Sequence, residues 1–176
     1  MNNPLLTKST LPYGAPQFDK IETQHYIPAF KQAIEEGKAE IDAIVNNPES
    51  PSFGNTIEAL EYAGETLNRI SHIFYNLLEA NTNEEMQNIA EEISPLTTEF
   101  SMYVRLNDGL FQRIKSVYEQ RESLNLDDVE LRLLEKTYEG FARNGANLSP
   151  EDKETYSKYM EELSLLSLQF GKNVLA

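Results

Sequence analysis

Two histidines and 29 acidic side chains are the groups through which this 176-residue chain could do chemistry. His25 precedes Tyr26-Ile27-Pro28-Ala29, and His72 precedes Ile73-Phe74-Tyr75-Asn76. Neither lies in His-Glu-x-x-His, where two imidazoles one helical turn apart grip zinc and the glutamate activates water. Imidazoles and carboxylates can also assemble a metal site in three dimensions, but no spacing here points to one. His25 reads as a helix-start residue and His72 as a polar neighbour of an apolar stripe. The doublets Glu35-Glu36, Glu84-Glu85, Glu91-Glu92 and Glu161-Glu162 are poor acid–base dyads, because neighbours on a helix point about 100° apart. They read as solvated helix faces.

Other reactive patterns are missing. There is no cysteine, so disulfides and thiolate metal sites are excluded. The chain holds no Gly-x-Ser-x-Gly elbow, no Gly-x-Gly-x-x-Gly loop and no Walker loop. No catalytic, cofactor-binding or metal-binding residue is assigned to it. The excess of acid gives a net charge of −14 and a pI near 4.5. That field repels phosphate backbones and anionic headgroups, so neither nucleic acid nor membrane is expected as a partner. No stretch approaches the roughly 18 apolar residues of a membrane span. The start, Met1 to Lys8, has neither a basic n-region nor an apolar h-region. The expectation is a soluble, cytoplasmic chain.

The elements that would position these groups are helical. Hydrophobic residues make up 40% of the chain, enough for a core, while the glycines and prolines gather in a few connections. Residues 1–24 read as an irregular arm, with turn chemistry at Leu11-Pro12-Tyr13-Gly14-Ala15-Pro16. One helical domain is expected over 25–176, all-α, with about six helices.

The first helix runs from His25 to Val45, with Pro28 in its first turn. The second opens at Asn55, with Glu58 as its capping-box partner. It carries the stripe Ile57, Leu60, Leu67, Ile70, Phe74 and Leu77, with Gly64 inside it. The third starts at the box Thr82-Asn83-Glu84-Glu85 and continues in register through Pro95 as one kinked helix. A shorter fourth follows Asn107-Asp108-Gly109. The fifth starts at Asp127 with Glu130 in the box. Ser149-Pro150-Glu151-Asp152 starts the last, with Tyr156, Tyr159, Leu163, Leu166, Phe170 and Val174 on one face. The aromatic spacing, Phe170 included, reads as core packing. The apolar ending Val174-Leu175-Ala176 without a stop signal reads as a piece of a longer polypeptide.

An ordered set of short stretches carries a resemblance. It begins with Asn3-Pro4-Leu5-Leu6, Ser9-Thr10-Leu11-Pro12-Tyr13 and Ala15-Pro16-Gln17-Phe18-Asp19, then Ile21, His25-Tyr26 and Pro28-Ala29-Phe30. It continues through Ala39-Glu40-Ile41, Phe53 with Asn55-Thr56-Ile57, Ala59-Leu60-Glu61, Gly64-Glu65, Thr82-Asn83, Arg121-Glu122-Ser123-Leu124 and Leu126-Asp127. Phe141, Gly145-Ala146, Leu148, Lys153, Phe170 and Leu175-Ala176 complete it. In this order and with these gaps the chain resembles the zinc metallopeptidase family of oligopeptidase A, thimet oligopeptidase and neurolysin. The arm is most similar to that of the bacterial peptidyl-dipeptidases.

The resemblance implies a helical zinc peptidase far longer than this chain, which corresponds to its N-terminal quarter. It implies one wall of a deep, narrow channel for short peptides, and in the bacterial peptidyl-dipeptidases the release of C-terminal dipeptides. It places the zinc, which polarises the scissile carbonyl, on motifs that no position here matches. The fragment is therefore expected to be inactive and to hold no cofactor, with zinc only in the full-length parent. That parent is expected to be monomeric, whereas the fragment self-associates through Leu165, Leu168, Val174 and Leu175. The alternative is a stand-alone helical interaction or scaffold domain without catalysis.

Overall fold

The computed structural model describes residues 3–175. Met1, Asn2 and Ala176 lie outside the described residues, as does the side chain of Leu175, so the ends of the arm and of the resemblance and one expected association residue fall there. The elements are α1 (Tyr26–Val45), α2 (Ala59–Tyr62), α3 (Glu65–Ala80), α4 (Glu84–Arg105), α5 (Asp108–Glu119), α6 (Asp128–Arg143) and α7 (Pro150–Leu175). Six are long, α2 is a single turn, and no strand occurs among the described residues. The all-α reading holds. Ahead of α1 the arm makes four short 3-10 turns, at Pro4–Leu6, Pro12–Gly14, Phe18–Lys20 and Thr23–His25.

Capping chemistry sets most of the starts. Asp127 accepts from Val129 N–H at 2.9 Å and Glu130 N–H at 2.8 Å, and Glu130 accepts from Asp127 N–H at 3.0 Å, closing the expected box before α6. Asn107 accepts from Leu110 N–H at 2.9 Å before α5, and Ser149 accepts from Asp152 N–H at 3.2 Å before α7. α4 runs unbroken through Pro95. Thr97 donates to the carbonyls of Ile93 at 3.1 Å and Ser94 at 3.0 Å in that turn.

Three local expectations need correcting. The helix expected from Asn55 to Leu77 is broken: Ala63 leaves helical geometry at ψ 134°, and Gly64 takes φ +77° before α3 begins. Only glycine enters that left-handed region without strain, so Gly64 separates the two helices. The cap before this break is Ser52, which accepts from Asn55 N–H at 3.2 Å while Asn55 accepts from Ser52 N–H at 2.9 Å. The chain therefore turns helical at Phe53, as a π-helical turn over Phe53–Glu58. Before α4 the cap is Asn83, which accepts from Met86 N–H at 2.9 Å. Glu85 instead accepts from the Thr23 hydroxyl at 2.6 Å.

The chain forms two compact units, each discontinuous in sequence. One takes residues up to 37, 64–98 and from 162 onward, and the other takes 38–63 and 99–161. The core of the first gathers on Phe74, which meets the rings of Tyr26 at 4.9 Å and Phe30 at 5.8 Å edge-on. Ile70, Ile73, Ile89 and Ile93 are buried in the same unit. Leu5 is fully buried, and Asn3 donates to the His25 carbonyl at 2.8 Å, so the arm is tied down at these two residues.

The second unit packs Ile41, Ile44, Ile57, Leu110, Ile114, Val117 and Leu134 into one cluster. Tyr118 stacks on Tyr138 at 4.0 Å, and the Arg121 guanidinium lies over Tyr118 at 4.3 Å. Gly109 lets α5 approach the end of α1, because a Cβ there would stand 2.7 Å from Val45 Cγ1.

Candidate functional site

His25 closes the 3-10 turn ahead of α1, its Nδ1 accepting from Glu22 N–H at 3.0 Å. His72 is exposed on α3, and its carbonyl accepts from the Asn76 amide at 2.7 Å. The His25 imidazole thus serves local backbone geometry, while the bond at His72 involves its backbone alone. The acidic doublets are recruited singly. Glu85 takes the Thr23 hydroxyl, Glu92 takes Lys31 at 3.1 Å, Glu91 takes Lys172, and Glu36 takes the Gln32 amide at 2.8 Å. No group of three or more His, Cys, Asp or Glu able to hold a metal occurs among the described residues. These residues do not fit the zinc that the resemblance implies.

The displaced titrations are those of packing and surface pairing. Burial pushes the Tyr26 and Tyr75 phenols up, for Tyr75 against a hydrogen bond with Thr97 that lowers it. Tyr103 is raised first by its hydrogen bond to Asp42, then by burial and the Asp42 charge. Glu139 and Glu154 are lowered by hydrogen bonds from Lys136 at 2.8 Å and Lys158 at 2.7 Å.

Sequence reasoning missed Arg113. It is 8% exposed and donates to the carbonyls of Asn47 at 3.0 Å and Glu49 at 3.2 Å and to Asn55 Oδ1 at 3.1 Å. Its Nε has no partner. The signal was present in the sequence. Arg113 follows Leu110 by three and precedes Val117 by four, so it lies within the stripe that faces the core. Asn55 also holds the Ser50 carbonyl at 3.0 Å and accepts the Thr56 hydroxyl at 2.9 Å, which makes it the hub of the loop before α2.

Among the described residues, three surfaces stand out as open to a ligand or a partner. In the second unit a groove of about 390 Å³ is lined by Glu40, Ala43, Asn47, Asn55, Ala59 and Tyr62. In the first unit a cavity of about 310 Å³ lies between the arm and α3, with Lys20 and Arg69 in its wall. The third surface is α7. Ser167, Leu168 and Gly171 face a 160 Å³ apolar cavity against Leu78 and Ala90. Leu163, Leu166, Phe170 and Val174 on the same helix are 53%, 59%, 71% and 67% exposed. The stripe expected as core is the outer face, because apolar period marks a face without saying whether anything covers it. Leu165 is exposed and Leu168 half-buried. Among the described residues no helix is long and apolar enough to cross a membrane.

The chain is similar along nearly its whole length to the N-terminal region of known peptidases. It is 42% identical over 174 residues to dipeptidyl carboxypeptidase of Salmonella typhimurium strain LT2, covering 99% of this chain and 26% of that protein. The same figures hold for dipeptidyl carboxypeptidase of Escherichia coli strain K12. Oligopeptidase A of Salmonella typhimurium is 26% identical over 175 residues, covering 99% of the chain and 25% of that protein. The chain spans about a quarter of the length of the curated relatives it matches. No family model matches it. The resemblance read from the ordered stretches is borne out.

Proposed function

We propose that this chain is the N-terminal helical portion of a longer, cytoplasmic, zinc-dependent peptidyl-dipeptidase. There it forms one wall of a channel that admits short peptides, and it carries no catalytic group itself. The observation that supports this reading is the 42% identity to dipeptidyl carboxypeptidase over 99% of the chain. The chain's own residues contribute packing, channel shape and an acidic exterior. On this reading the zinc ligands and the group that activates water belong to polypeptide beyond residue 176. The exposed face of α7 is then surface that the rest of the parent covers.

The test compares the 176-residue chain with the complete gene product. The parent binds one zinc per chain and releases a dipeptide from a blocked tetrapeptide, and the isolated chain does neither. Stoichiometric zinc or hydrolysis in the purified chain would overturn the reading. So would a reading frame that ends without encoding His-Glu-x-x-His, which would leave the stand-alone scaffold domain.

A further inference from the structure

We propose that the cavity between the arm and α3 is a binding site for a small organic carboxylate with an aliphatic portion, the size of an N-acylated amino acid. A chain with a net charge of −14 repels anions at long range, so a site for one must supply its own positive groups. Elsewhere the lysines are spent on carboxylates, as in Lys8 with Glu65 at 3.5 Å and Lys31 with Glu92 at 3.1 Å. Lys20 and Arg69 have no carboxylate partner among the described residues, and both line this one cavity.

Ser9 and Gln17 in the same wall also carry donors. The Ser9 oxygen accepts from Leu11 N–H at 3.2 Å, which leaves its hydroxyl hydrogen for a ligand, and the Gln17 amide adds two more. No Asp or Glu lines the cavity. A guanidinium presents a planar fork that matches the two oxygens of a carboxylate. Most of the remaining wall is apolar, from Pro4, Leu5, Pro16, Ile21 and Ile73, with Thr7 the polar exception. It therefore suits a hydrocarbon group better than the further oxygens of a phosphate. A volume of about 310 Å³ is at the small end of ligand pockets, so it admits one residue and not an extended peptide. The proposal does not depend on the activity of the parent.

Amide chemical shifts of the 15N-labelled 176-residue chain in low salt, titrated with N-acetyl-L-leucine and separately with N-acetyl-L-leucinamide, test this. The acid is expected to give saturable shifts in the arm and the first turns of α3, with a Kd of about 1 mM or below. The uncharged amide should bind at least about tenfold more weakly. Lys20→Gln and Arg69→Gln should each weaken the acid about tenfold, while Arg105→Gln, outside the cavity, should not. Lys20 is exposed, so its variant remains informative if Arg69→Gln perturbs α3. Absence of saturation, equal binding of acid and amide, or indifference to both cavity variants would overturn the proposal. Tighter binding of inorganic phosphate or of an acidic peptide at the same residues would also overturn it, assigning the cavity to a bare anion or to a partner segment.

Discussion

Replacing Arg113 by methionine asks whether a buried guanidinium without a carboxylate holds the loop before α2 or merely tolerates its place. Methionine keeps most of the stem and removes every donor. Three bonds at 3.0, 3.2 and 3.1 Å are lost. Each such bond from a charged donor contributes about 1.5–3 kcal/mol. Against this, a cation that is 8% exposed and unpaired at Nε recovers several kcal/mol of hydration when it is removed. The Glu49 carbonyl lies in an exposed stretch that water can reach, and Asn55 Oδ1 keeps its donors from Ser52 and Thr56.

The net expected for Arg113→Met is a loss of about 2 kcal/mol, with Arg113→Ala worse because it also leaves a cavity. For a chain of this size that lowers Tm by about 4–8 °C. Urea and thermal unfolding followed by circular dichroism and tyrosine fluorescence would measure it, since the chain has nine tyrosines and no tryptophan. An unchanged or raised midpoint would mean that desolvation outweighs the three bonds, and the reasoning fails. A double-mutant cycle with Asn55→Ala should show coupling of about 1 kcal/mol.

Two glycines should respond differently to alanine. At Gly64, with φ +77° and nothing within 4 Å of where a Cβ would stand, the cost is backbone strain of about 1–2 kcal/mol that no second mutation relieves. At Gly109 it is the clash with Val45, about 1–3 kcal/mol, and Val45→Ala should restore part of it in a chemical denaturation series. Stability should fall as pH rises above about 10, the ordinary tyrosine value. The raised phenols of Tyr26, Tyr75 and Tyr103 hold their protons longer folded than unfolded, so their contribution is complete below that pH and lost above it. Tyr103→Phe should flatten the decline in urea midpoints between pH 9 and 11, and an unchanged slope would count against the Asp42 bond as its cause. The isolated chain should self-associate through the outer face of α7, and Leu166→Glu with Phe170→Glu should return it to monomer by light scattering. A wild-type chain that stays monomeric at high concentration would refute this.

Helix starts were legible because capping is local. Asp127 with Glu130, Asn107, and Ser149 followed by Pro150 each need only side chains within three residues to satisfy the first free N–H groups. The break at Gly64 is hidden in the sequence because the three-four rhythm continues across it: Leu60 and Leu67 are seven apart, a spacing that one helix or two can satisfy. Asn55 resembles a cap in sequence because capping residues look alike on either side of a box, and only tertiary contact makes it the acceptor for Arg113. Burial was the least legible quantity. The apolar faces of α5 and α7 have similar spacing, yet Leu110, Ile114 and Val117 are covered while Leu166 and Phe170 are open. The arm cavity was illegible for a related reason, since Lys20 and Arg69 are 49 positions apart and meet only once the arm has folded back.

The interleaving of the two units has a practical corollary for anyone dissecting this molecule. Of the four points where the chain passes from one unit to the other, three lie inside the uninterrupted helices α1, α4 and α7, and the fourth falls at Gly64. Neither half is a contiguous cassette, so no single truncation or protease nick liberates one of them whole. Melting either half must fray helices that the other half also uses, which favours one concerted denaturation step over two.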